Sequence, residues 1–270
     1  MAQRLTRSPQ KALSFGTCGF ESHSGHSMRP MREVLEVQSL KASGLTDREI
    51  STVTGIPTST FRKWRHKPPR AERRAFDLGS ISPKPYAYLL GIYLGDGHIT
   101  AYPRGVFRLT IALDSRYPML NREVADAMEA VLPGKRARME LYRRHALVRV
   151  DMYSKHWPTL FPQHGPGHKH ERPIYLADWQ QRIVDEHPEA FLRGLIHSDG
   201  CRHINRVWHG TKAYEYPRYH FTNASADIRA LFCASCDRLG IPWRRMNARN
   251  ISVARREGVA ALDEFVGPKR

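Results

Sequence analysis

The sequence is poor in cysteine and in acid and has no long apolar run, and each shortage excludes a class of protein. Its 270 residues hold four cysteines, Cys18, Cys201, Cys233 and Cys236, too few and too scattered for a disulfide framework. No apolar stretch approaches the ~20 residues that span a bilayer. The longest, near residues 86–94, is broken by tyrosines and a glycine and ends in Gly-Asp-Gly. No apolar signal region opens the chain. Acids are outnumbered, 26 Asp and Glu against 43 Lys and Arg, leaving a formal charge of +17. Such an excess favours a polyanionic partner, nucleic acid before an anionic membrane surface. The expectation is a cytoplasmic protein, nucleoid-associated if bacterial, with double-stranded DNA as its partner and no membrane.

Residues 1–27 show little periodicity of either kind. Their piece CGFESH is what one frame of a tRNA T-arm (GGTTCGAATCC) encodes. The expected start is therefore Met28 or Met31, with an ordinary disordered terminus as the alternative. Either way the leader carries no function.

Residues 28–67 read as an all-α helix-turn-helix domain. Val34, Leu35, Val37 and Leu40 form an apolar stripe that ends near Gly44. Thr46 and Glu49 make a capping box, opening a second helix with Ile50 and Val53 inward. Gly55 supplies the turn and Pro57 stops the chain from continuing as helix. A third helix then places Phe61 and Trp64 inward and Arg62, Lys63 and Arg65 outward. The run resembles the small homeodomain-like modules of recombinases and regulators. It implies phosphate or guanine contacts from Arg62, Lys63 and Arg65, with Thr58, Ser59 and Thr60 nearest base edges. A three-helix unit that only docks on its neighbour is the competing reading. Residues 68–84, rich in proline and arginine, read as a basic linker.

The rest of the chain repeats itself. Residues 88–97, YLLGIYLGDG, match residues 191–200, FLRGLIHSDG. Gly91 and Gly95 correspond to Gly194 and Ser198. Small residues four apart lie on one helical face, where two backbones can approach closely. Gly97 and Gly200 suit the left-handed residue that closes a helix. Two such helices packed together would bring Asp96 and Asp199 out side by side at two negative helix ends. There the carboxylates repel each other unless a divalent cation joins them. After each motif come two strands, a helix, two strands and a helix. Each half closes on a lysine: 73 residues separate Asp96 from Lys169, and 70 separate Asp199 from Lys269. Residues 85–180 and 181–270 are the expected halves.

This pattern resembles the LAGLIDADG homing endonucleases in their single-chain, two-motif form. The resemblance covers roughly residues 85–270. It implies an α+β fold, a pseudo-twofold pair of αββαββα halves whose sheets form a DNA-binding saddle. It implies metal-dependent cleavage of both strands at one long site, with Mg²⁺ or Mn²⁺ held by Asp96 and Asp199 and with Lys169 and Lys269 assisting. Leu94 and His197 stand where the family name has an acid, a position that does not ligate the metal. A monomer is the simplest assembly. Outward strand residues, Arg108, Thr110, Arg149, Asp151, Arg218, His220, Asn250 and Ser252, are the expected DNA readers.

Two other readings compete. Some bacterial transcription regulators join this fold to a helix-turn-helix without cutting DNA, though they typically lose the two aspartates kept here. Cys233 and Cys236, with Cys201 and nearby His197, His203 and His209, have the residue types of a zinc site. Cysteines three apart on an apolar helix are better read as core, so no zinc is expected. His164, His168 and His170 sit among glycines and prolines and read as a mobile basic loop beside DNA.

Overall fold

The structure, a computed structural model, describes residues 31–66 and 76–269. The leader, residues 28–30 and the linker up to residue 75 lie outside that range. The described residues form two compact units that divide between residues 66 and 76. No helix among them is long and apolar enough to cross a membrane.

The first unit holds α1 (Met31–Ala42), α2 (Asp47–Thr54) and α3 (Thr58–His66). The capping box is present: the Thr46 N–H donates to the Glu49 carboxylate at 2.8 Å, and the Thr46 hydroxyl accepts from the Glu49 N–H. Gly55 closes α2 at φ 66°, a left-handed conformation that glycine adopts without penalty. Val37, Ile50, Ile56 and Phe61 form the core, with Leu40, Leu45 and Trp64 against it. Two expected core residues face solvent instead, Leu35 and Val53, the latter 67% exposed. The inward row of α2 runs from Ile50 to the half-buried Thr54, whose hydroxyl returns to the Ile50 carbonyl. That four-residue step leaves Val53 outside. Thr58, Ser59 and Thr60 open α3; the side chains of Arg62, Lys63 and Arg65 lie outside the described residues.

The second unit begins with α4 (Pro83–Asp96), β1 (Gly97–Tyr102), β2 (Val106–Asp114), α5 (Pro118–Val131), β3 (Arg138–Tyr142), β4 (Leu147–Ser154) and the short α6 (Trp157–Leu160). After α7 (Asp178–Glu186) the order repeats: α8 (Pro188–Asp199), β5 (Gly200–His209), β6 (Lys212–Thr222), α9 (Ala226–Arg238), β7 (Arg244–Arg245), β8 (Asn250–Val253) and α10 (Arg256–Phe265). The two antiparallel sheets have matching strand orders, β1-β2-β4-β3 and β5-β6-β8-β7. Strand alternation puts Leu109, Ile111, Val150 and Met152 of the first sheet, and Tyr219, Phe221, Ile251 and Val253 of the second, into one shared core. Each fully buried aliphatic side chain contributes about 1.5–3 kcal/mol there.

Three details depart from expectation. Helix α7 is additional, and the expected divide at 180/181 lies inside it. Its outward charges, Asp178, Arg182 and Asp185, obscure the inward Gln180 and Val184. The seventh strand shrinks to Arg244–Arg245. Gly97 and Gly200 are extended, with φ −79° and −107°, because each starts a strand directly. Glycine is needed there for space: a Cβ would stand 2.6 Å from Tyr93 Cα at Gly97 and 2.7 Å from Ile196 Cα at Gly200.

Candidate active site

Helices α4 and α8 touch backbone to backbone. A Cβ on Gly91 would lie 2.9 Å from Gly194 Cα, and one on Gly95 would lie 2.5 Å from Ser198 Cβ. Equivalent positions of the two motifs thus meet each other, as a twofold axis running between the helices requires. Neither position admits a larger residue.

This contact brings Asp96 and Asp199 together. Asp199 Oδ2 lies only 2.9 Å from the Cβ position of Gly95. Asp96 stays exposed as a residue, while the dense protein around it reduces the hydration of its carboxylate. Burial first, and the charge of Asp199 second, push its pKa up to about 6, against the pull of Lys169 and Lys269. Burial raises Asp199 as well, while a hydrogen bond from Asn223 and the two lysines oppose it. Asn223 Nδ2 donates to Asp199 Oδ2 at 2.6 Å.

Both lysines lie near enough for their charges to act on the pair, and each is held there by main-chain carbonyls. Lys169 Nζ donates to the carbonyls of Tyr93 and, at 3.0 Å, Gly95. A cation there complements the negative end of α4. Burial lowers Lys169 to about 8, and the two aspartates limit the fall. Its loop is tied down by Arg172, whose guanidinium donates to the carbonyls of Gln163, Pro166 and Gly167 at 2.8–3.0 Å. The loop carrying His164, His168 and His170 is therefore anchored. With His98 and Asn223 it lines a pocket of about 350 Å³ that Asp199 also borders.

Lys269 Nζ donates to the Gly200 carbonyl at 2.7 Å. Its segment is fixed three residues earlier, where His197 Nε2 lies 3.0 Å from the Val266 carbonyl. A carbonyl only accepts, so Nε2 carries the proton and Nδ1 accepts from the Tyr88 hydroxyl at 3.0 Å. Burial holds His197 down at about 4, which keeps it neutral. His197 therefore anchors the segment that bears Lys269.

The eight expected readers all project from the sheet faces turned away from the helices. Register aligns Thr110 with Asp151, and His220 with Ser252. Asp151 and Ser252 are not exposed as expected; they are 2% and 3% accessible, covered by longer neighbours on the same face. Among the described residues, eleven buried side-chain polar atoms lack a hydrogen-bond partner, and seven of them belong to Arg108, Thr110, Arg149, Asp151, Arg218, His220 and Ser252. Buried polar groups are normally satisfied; here the excess collects on the open sheet faces, where Arg149 Nε and Asp151 Oδ1 partly offset each other at 3.4 Å. Asn250 is the exception, lying 2.6 Å from Thr222 Oγ1.

Asn223 and Arg172 were missed from sequence. Neither belongs to a repeated motif, and both act through contacts that only the fold creates. Among the described residues, Cys233 and Cys236 are buried in α9, whereas Cys201 is exposed on β5. No group of three or more His, Cys, Asp or Glu suited to a metal occurs among the described residues. Two carboxylates are nonetheless a fitting donor set for a hard cation such as Mg²⁺, which commonly takes one or two carboxylates and completes its shell with water and substrate phosphate.

No family model and no curated protein matches the sequence. Solved structures do. I-DmoI in complex with DNA and Mn aligns with 69% of this chain and 98% of its own, at 14% identity and a TM-score of 0.48. The N-terminal LAGLIDADG domain of DUF199/WhiA aligns with 74% of this chain and 93% of its own, at 14% identity and 0.43. I-WcaI bound to its DNA recognition sequence aligns with 70% and 83%, at 11% identity and 0.43. The repeated signature helix, the repeated element order and the two matching sheet orders give this chain the two-half LAGLIDADG fold.

Proposed function

We propose that this chain is a site-specific double-strand DNA endonuclease of the homing-endonuclease type, acting as a monomer on phosphodiesters with a divalent cation. The observation that carries the reading is the meeting of Asp96 and Asp199 at two helix ends with Lys169 and Lys269 beside them. Nothing structural requires two repelling carboxylates and two partly buried amines at one point. Asp96 and Asp199 would hold Mg²⁺ or Mn²⁺, which when bound supplies Lewis-acid stabilisation of the reacting phosphate and lowers the pKa of bound water. Asn223 fixes the Asp199 carboxylate through its amide. Lys169, charged below about pH 8, holds positive charge where the phosphate becomes more negative in the transition state. Lys269 does the same from the other half. The open sheet faces orient the duplex, with Arg108, Arg149 and Arg218 suited to guanine edges or phosphates. Thr58, Ser59, Thr60, Arg62, Lys63 and Arg65 of the helical unit would add a second DNA contact.

A non-cleaving DNA-binding regulator is the second reading. It is favoured by one fact: both lysine amines already serve main-chain carbonyls at the helix ends. Incubating a randomised duplex library with the protein, in parallel for binding and for Mg²⁺-dependent cutting, separates the two. The endonuclease reading predicts enriched sequences in both arms. Enrichment in the binding arm alone would make the protein a regulator.

A further inference from the structure

The two open sheet faces differ in a way the repeated motifs do not announce. On the first, the arginines are held by acids and rings. Arg149 lies 2.5 Å from Glu140 and 3.4 Å from Asp151, and its guanidinium sits 5.1 Å from the Tyr142 ring centre. Arg108 lies over Tyr102 and Tyr153. A carboxylate facing a polyanion weakens binding to any sequence. Its compensation is fixed arginine geometry, together with an acceptor for a cytosine amino group.

The second face is free of acid. The only carboxylate in β5–β8 is Glu215, paired at 2.7 Å with Arg206 on the opposite face. Alternation places Tyr214, Tyr216, Arg218 and His220 together on the open side. This face is also longer. Strands β5 and β6 pair over ten positions, against six for β1 and β2. Strand β8 meets β6 only from Tyr219 to Thr222, whereas β4 accompanies β2 from Phe107 to Asp114. Beyond Arg218 a two-stranded ribbon projects, with Val207, Tyr214 and Tyr216 44–49% exposed on its open side. The major groove admits such a ribbon. Four further residue pairs at ~3.4 Å each add about four base-pair steps.

The geometry points to an unequal division of the target: the first sheet reads base edges over a short half-site, and the acid-free second sheet with its ribbon grips a longer half-site through phosphates and aromatic contacts. This rests on duplex DNA being the ligand.

Hydroxyl-radical footprinting of the full chain on a selected duplex, with a base-pair substitution scan, tests it. The half-site whose discrimination relaxes in Arg149→Ala is the first-sheet side. Protection should reach about four base pairs farther on the other side. Single substitutions should weaken binding about tenfold on the first side and about threefold or less on the second. Tyr214→Ala/Tyr216→Ala should withdraw protection from the long end alone; replacing residues 207–214 by a two-residue turn is the second truncation, should the pair disturb folding. Equal footprints, or equal sensitivity on both sides, overturn the division. Failure of the wild type to protect any duplex overturns the DNA reading itself, a result distinct from symmetric protection.

Discussion

Gly91 and Gly194 meet across the α4–α8 contact, each Cα 2.9–3.0 Å from where the other's Cβ would stand. Neither helix can move aside, because both run through the shared core. Gly91→Ala should cost about 3 kcal/mol or more, the scale of overpacking against backbone. Gly134→Ala is the control: its site has open space and φ +82°, so only conformational strain of about 1–2 kcal/mol applies. Urea midpoints compare the two, and equal costs would refute the close contact.

Asp96→Asn should stabilise the metal-free protein at pH 8. The wild-type carboxyl has its folded pKa raised to about 6 from an ordinary 3.8. Its stabilising effect is therefore complete below pH ~4 and lost as pH rises through 6. The asparagine variant gains relative to wild type across that window. After allowance for its exposure to solvent, the gain is about 1 kcal/mol. Adding Mg²⁺ should stabilise wild type and not the variant. Thermal melts at pH 4, 6 and 8 check both signs.

His197 acts in the opposite direction. Its folded pKa is depressed to about 4 from 6.5, so the stability it supports holds above pH 6.5 and falls away as pH drops towards 4. His197→Ala leaves the Val266 carbonyl and the Tyr88 hydroxyl without this partner and should cost about 2–4 kcal/mol at pH 7. It should also flatten the acid limb of a denaturation–pH curve; an unchanged limb would remove His197 from this role.

Arg172 gathers three carbonyls of the loop that delivers Lys169. Arg172→Ala should lower Mg²⁺-dependent cutting by roughly 10–100-fold while DNA affinity stays within about threefold, because misplacing a group near the reacting phosphate harms rate before binding. A parallel fall in both quantities would assign Arg172 to the DNA contact instead.

Element order and the acid pair were legible because they rest on local signals. Leu109, Ile111 and Leu113 alternate, and the Gly-x-x-x-small spacing occurs twice with Asp-Gly at its end. Lys169 and Lys269 were legible through the register of the repeat. What stayed hidden depends on tertiary contact. Asn223 lies just past a strand end, with nothing in its neighbourhood to mark Asp199 as its partner. The extended form of Gly97 and Gly200 follows from the strand that begins there. A terminal glycine after a helix usually means a left-handed cap, and only the proximity of Tyr93 and Ile196 shows that space, not dihedral freedom, is the reason. Asp151 and Ser252 were placed on the correct face with the wrong accessibility, because alternation gives direction and says nothing about what long neighbours cover.

The most direct test is strand-resolved cleavage of a selected duplex with Mg²⁺ by wild type and by Asp96→Asn/Asp199→Asn, with affinity measured alongside. The account predicts metal-dependent cuts in both strands by wild type, none by the variant, and affinity retained within about tenfold. Specific binding by wild type without any cut, or cuts that survive in the variant, would contradict it.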